Sequence, residues 1–172
     1  MSDPNEAFDE PNLVSLLDSI APLCRFRYDI AQAQISNCFT SLKNDYTRCL
    51  QALERKDVRG MQTILEIESK LAVILYVSGS CVNYMKGIHS ILQDQIPIDA
   101  DISSLFFSLV PLIEVRINHN LGANIPKSKH LDLAVIHFLN NFRMRYLGSA
   151  GTGAARAIYS RYLFVFPCRL QA

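Results

Sequence analysis

Residues 71–85, LAVILYVSGSCVNYM, form an uncharged run of 15 residues between Lys70 and Lys86. Apolar side chains at Leu71, Ala72, Val73, Ile74, Leu75, Tyr76, Val77, Cys81, Val82 and Met85 leave almost no polar face. A helix that is apolar nearly all round has to be buried between several neighbours. The rest of the chain must supply those neighbours. The run is short for a membrane span, since its helix would rise ~22 Å against a hydrocarbon core of ~30 Å. Gly79, Ser80 and Asn83 weaken it further.

Helical periodicity surrounds this run on both sides. Residues 1–11 hold four acids and two prolines and are too polar to pack, so a disordered acidic tail is expected there. Leu13, Leu16, Leu17 and Ile20 predict a short helix from Asn12 that stops at Pro22. Over residues 26–53, Tyr28, Ala31, Ile35, Cys38, Phe39, Leu42, Tyr46, Cys49, Leu50 and Leu53 recur at steps of three or four and predict a long amphipathic helix. After a charged break at residues 54–57, a helix is expected over residues 58–85, closed by Lys86 and Gly87, with Gly79 marking a close helix contact.

Residues 89–100 read as a loop, and Asp101 as the cap of a helix carrying Ile102, Leu105, Phe106, Leu109, Val110, Leu112, Ile113 and Ile117. Pro111 inside that helix predicts a kink, and residues 118–129 a connector. Residues 128–147 predict a further helix, with Leu131, Ala134, Val135, Phe138, Leu139, Phe142 and Tyr146 on one face and Arg143, Arg145 and Gly148 at its end. Gly148, Gly151 and Gly153 link it to a last helical run over residues 154–165. No alternating strand pattern with hairpin turns occurs. The fold expected is all-α, either a bundle or antiparallel helical hairpins stacked as an α-solenoid segment.

Chemistry is harder to find. Seventeen basic and 16 acidic residues give a net charge of +1, which creates no field for nucleic acid or an anionic membrane. Cys24, Cys38, Cys49, Cys81 and Cys168 have neither CxxC nor metal-ligand spacing and read as inert core thiols of a reduced compartment. Of the four histidines, 89, 119, 130 and 137, His130 and His137 could share a helix face two turns apart, but there is no HExxH and no partner carboxylate at i+4, so surface or interface histidines are expected. The glycines at 148, 151 and 153 lack a preceding strand and a following GK[ST] motif, so they form a linker and not a phosphate cradle. Asp57, Glu66 and Glu68 are too scattered for an acid–base pair, and Arg143, Arg145, Arg156 and Arg161 with Lys127 and Lys129 fit a solvated basic face. No catalytic, cofactor-binding or metal-binding residue is assigned. The residues point to an interaction or scaffold protein and not to an enzyme. An acidic, polar N-terminus without an apolar signal core places the chain in cytoplasm or nucleus.

Three stretches together carry a family resemblance. LLDSIAPLCRFRYDIAQAQISNCFTSLKNDYTRCLQAL, IESKLAVILYVSGSCVNYMKG and KHLDLAVIHFLNNFRMRYLG resemble, in order and spacing, helical segments of the exportin-7 family of karyopherin-β nuclear transport receptors. The resemblance implies HEAT-type helical pairs over residues 12–166 and a divergent tail at 167–172. It implies binding of Ran in its GTP form, of protein cargo and of nucleoporins, with localisation in cytoplasm, nucleus and nuclear pore. It implies no cofactor, no nucleic acid and no membrane insertion. Leu71, Leu75, Phe138 and Phe142 would then hold adjacent repeats together. The family's N-terminal Ran-binding domain has no counterpart here, so an interior fragment of a receptor is expected. The alternative is an independent helical-repeat scaffold or adaptor.

Overall fold

The computed structural model describes residues 10–54, 58–84, 95–122 and 128–147. They form α1 (Glu10–Phe26), α2 (Tyr28–Glu54), α3 (Val58–Asn83), α4 (Ile96–Gly122), α5 (Lys129–Phe142) and a closing π-helical turn (Arg143–Leu147). No strand occurs among the described residues. Side-chain contacts fix the helix directions. Tyr46 of α2 reaches Glu68 of α3 across a short connection, so these two are antiparallel. Tyr28 and Lys43 of α2 meet Asp99 and Ser108 of α4 in the same order, so these run parallel. Ser80 and Asn83 of α3 meet His137 and Asn141 of α5, again in the same order. From α2 to α5 the chain therefore alternates up and down as successive helical hairpins.

The apolar helix sits where its composition requires. Ile64, Ile67, Leu71, Ala72, Leu75, Tyr76, Cys81 and Val82 of α3 are buried, and α3 packs on α5, α2 and α1. Burying each large aliphatic side chain contributes roughly 1.5–3 kcal/mol. Val73 departs from the expectation of burial all round and is exposed. Between α4 and α5 the contact is made by rings: Phe106 stacks on Phe138 at 4.2 Å, and Phe107 meets Phe142 edge-on at 5.6 Å. Phe138, Phe142, Leu71 and Leu75 are thus all core residues.

Several boundaries differ from the sequence expectation. Pro22 does not end α1. The buried stripe Leu17, Ala21 and Arg25 continues across it, and the carbonyl that Pro22 cannot bond belongs to Asp18, an exposed residue open to water. Helix α1 also begins at Glu10, inside the span expected to be a tail; residues 1–9 lie outside the described residues. Asp101 is not a cap, because α4 starts at Ile96 with Pro97 in a first turn whose N–H groups have no helical acceptor anyway. At its other end α4 runs to Gly122, well into the expected connector. Cys38, expected on the apolar stripe of α2, is exposed. Ser128 caps α5, accepting a hydrogen bond from the Leu131 amide, and after Phe142 the winding turns to π. Lys86, Gly87, the glycine linker and the run at 154–165 lie outside the described residues.

Gly79 is the close contact foreseen for it. A Cβ there would lie 3.0 Å from the Cα of Phe138 and 3.1 Å from Cδ2 of His137. Backbone cannot swing aside as a flexible side chain can, so α3 and α5 would have to separate. We expect Gly79→Ala to lower the thermal midpoint even though alanine gains about 1 kcal/mol of helix propensity, because overpacking costs about 1–3 kcal/mol. A raised midpoint would show that the helices do not meet here.

Candidate functional site

The most polar place in the interior is a junction of helix ends. Arg25, near the end of α1, donates from Nε to the Cys81 carbonyl at 2.7 Å and from Nη2 to the Val82 carbonyl at 3.2 Å. These carbonyls belong to the last turn of α3, where the helix itself provides no donor. Nη2 also bonds both carboxylate oxygens of Asp99, at 2.8 and 3.0 Å, and Nη1 donates to Gln95 Oε1. Asp99 lies in the first turn of α4. The cation thus sits at the negative end of one helix dipole and the anion at the positive end of another. Two tyrosines complete the shell. Tyr28 Oη donates to Asp99 Oδ1 at 2.5 Å, Tyr146 Oη donates to Oδ2, and the guanidinium lies over the Tyr28 ring at 4.2 Å.

Asp99 is 0% exposed, and burial pushes its carboxyl above the usual carboxylate range, while Arg25, Tyr146 and Tyr28 pull it back. Burial opposes the Arg25 charge too, but Asp99, together with Tyr28 and Tyr146, more than offsets it and keeps the guanidinium protonated. Tyr28 and Tyr146 are pushed up by burial and by the adjacent Asp99, so both remain hydroxyl donors. The arrangement holds charge in place. It offers no free base and no nucleophile.

A second buried pair lies farther along α3. Arg116 Nε donates to Glu68 Oε1 at 2.8 Å, and Tyr46 Oη donates to the same oxygen at 3.2 Å, joining α4 and α2 to α3. A third cluster is neutral. His137 Nε2 lies 2.8 Å from Asn141 Nδ2 and 3.1 Å from Ser80 Oγ, and Asn83 Nδ2 donates to Asn141 Oδ1 at 2.8 Å. That orientation of Asn141 presents its N–H to His137, so Nε2 accepts and the ring is neutral. Burial holds His137 below the usual histidine range, against a hydrogen bond to the Tyr76 backbone.

Residues singled out in the sequence are dispersed by the fold. His130 and His137 are both half-buried, and Glu66 is exposed while Glu68 is buried. Cys81 is buried, and its thiol hydrogen-bonds Cys24, lowering the Cys24 pKa to about 7 against the effect of burial. Lys129 and Arg143 are exposed, Arg145 is half-buried against the Tyr146 ring, and Lys127, Arg156, Arg161, His89 and Asp57 lie outside the described residues, as does the His119 side chain. Among the described residues no group of three or more His, Cys, Asp or Glu side chains could hold a metal. One described helix, over Ile96–Asn118, is long and apolar enough to cross a membrane. It carries the buried ion pairs of Asp99 and Arg116, and Ile102, Phe106 and Leu109 lie in the protein core.

The interior is therefore built for holding helices together, which leaves binding to the surface. A family model described as Exportin-7-like, TPR domain matches residues 3–165. The chain belongs to the exportin-7-like family. It is a segment of nuclear transport receptor type, an all-α repeat solenoid. The family description names the repeat TPR where the resemblance of the three stretches implied HEAT-type pairs; both are helical hairpins stacked side by side. No curated protein and no solved structure matches the chain significantly.

Two consequences for this exportin-7-like domain can be measured. Asp99→Ala leaves Arg25 buried without its anion and should cost about 3–5 kcal/mol in chemical denaturation, whereas Tyr28→Phe or Tyr146→Phe should each cost about 1.5–3 kcal/mol. Equal, small losses for all three would show that the junction is not a charged network. His137 gives a pH signature. Its folded pKa is lowered, so below an unfolded value of about 6.5 the unfolded chain takes up the proton more readily. Stability should fall as pH drops from 7 towards 5, and His137→Gln should flatten that slope. An unchanged slope in the variant would place the titration elsewhere.

Proposed function

We propose that this chain works by binding proteins, as part of a receptor that carries cargo out of the nucleus and responds to Ran in its GTP form. The family match over nearly the whole chain supports this reading. The surface is compatible with it. Leu23, Phe26 and Ile30 stand exposed where α1 meets α2, with Phe26 at 86%, and Leu133, Ile136 and Leu139 are exposed along α5. A soluble helical unit that shows apolar side chains on separated faces has surface to offer to neighbours. Its surroundings are cytoplasm, nucleus and the nuclear pore, where the proposed partners are Ran-GTP, cargo proteins and nucleoporins. No catalytic, cofactor or metal residue is assigned within it.

The test uses the natural polypeptide that contains this chain, immobilised and offered Ran loaded with a non-hydrolysable GTP analogue or with GDP. Retention of the GTP form alone, little affected by salt, is the expected result. Equal retention of both forms, or of neither, would sink the Ran-linked reading and favour an independent helical scaffold or adaptor.

A further inference from the structure

Glu68 is 2% exposed, yet only one of its carboxylate oxygens is bonded. Oε1 takes both the Arg116 and the Tyr46 donors, while Oε2 is buried with no hydrogen-bond partner from the protein. A buried carboxylate oxygen without a donor carries a desolvation penalty that native interiors rarely tolerate. Beside Glu68 lies a partly open cavity of about 20 Å³, bordered by Tyr46, Arg116, Ile117, Ser128, Leu131 and Asp132. One water needs roughly 10–15 Å³ of such space together with two to four polar partners. The cavity meets both conditions for a single molecule and is too small for an organic ligand.

We propose that this cavity is a structural water site. The water donates one proton to Glu68 Oε2 and the other to the Asp132 carboxylate, and accepts from the Ser128 hydroxyl. Ser128 Oγ already accepts from the Leu131 amide, so its own proton is available for this bond. Ser128 is the N-cap of α5, and Glu68 is held by α2 and α4. The water therefore fastens the start of α5 to the α2–α3–α4 junction. Water suits the site better than a cation, because Arg116 already balances the Glu68 charge and Asp132 faces solvent.

The experiment is a crystal structure of the chain at about 1.8 Å, combined with water-selective nuclear Overhauser spectra of the Ile117 and Leu131 methyl groups. A single density peak at hydrogen-bond distance from Glu68 Oε2 and from Ser128 or Asp132, with water cross-peaks of the sign given by a long-lived molecule, is expected. Both signals should disappear together in Glu68→Met, which keeps length and removes the acceptor. Density showing Oε2 bonded directly to a protein donor, a peak belonging to a lysine ammonium group or a cation, or no peak and no cross-peaks would each overturn the proposal. Because it concerns internal architecture, it stands or falls independently of Ran binding.

Discussion

The ion pair between Arg25 and Asp99 is the constraint to which the other helices answer. Neither charge can be buried alone, since an unpaired ion in the interior costs several kcal/mol. Each must therefore wait for α1 and α4 to arrive together, although the residues stand 74 apart in the chain. The last turn of α3 supplies two further acceptors for Arg25, and Tyr28 and Tyr146 supply two donors for Asp99. Apolar burial is proportional to area and nearly indifferent to direction. Hydrogen bonds of this kind are directional, so the junction fixes how each helix is turned and how far it slides. The π-helical turn can be understood in the same way. It carries Tyr146, which is buried and bonded to Asp99, so the end of α5 winds in the form that delivers that hydroxyl.

The helices that meet α5 do so in different ways. Against α3 the approach is close enough for Gly79 to have no room for a methyl group, and Ser80, Asn83, His137 and Asn141 form a polar ladder along the seam. Against α4 the spacing is filled by stacked phenylalanines. A small residue with specific amide bonds defines a register, whereas aromatic stacking supplies area and tolerates adjustment.

The parts legible in the sequence were those governed by local periodicity. Helix α2 and the apolar half of α3 both follow from spacing that a single helix imposes on itself. The start of α4 did not. Ile96, Pro97 and Asp99 carry loop-like composition, and what draws them into helix is Arg25, a residue on another helix. Pro22 failed for a similar reason, because the buried stripe through Leu17, Ala21 and Arg25 outweighs one lost backbone bond. The buried junctions were likewise unreadable as such: Tyr28, Tyr46 and Tyr146 look like ordinary core residues in a periodic pattern, and only the fold shows that their hydroxyl groups face Asp99 and Glu68. The family resemblance reached what periodicity could not, since it rests on the order and spacing of three helices together.

The two charged junctions bracket the apolar core of α3. Glu68 lies before it, and the carbonyls of Cys81 and Val82 lie at its far end, a separation of about 20 Å along the helix. Between them Leu71, Ala72 and Leu75 are essentially sealed from solvent, and the polar contact of Ser80 with His137 lies towards the far end. A unit clamped at both ends and filled between them has little freedom to bend internally. In a stack where each repeat touches mainly its neighbours, bending is then concentrated at the contacts between units. Those contacts are where exposed Phe26 and Leu23, on one side, and Ile136, on the other, become informative. Stiffness inside the unit and apolar surface outside it are complementary properties, because only a rigid unit can present such surface to a partner without rearranging its own core.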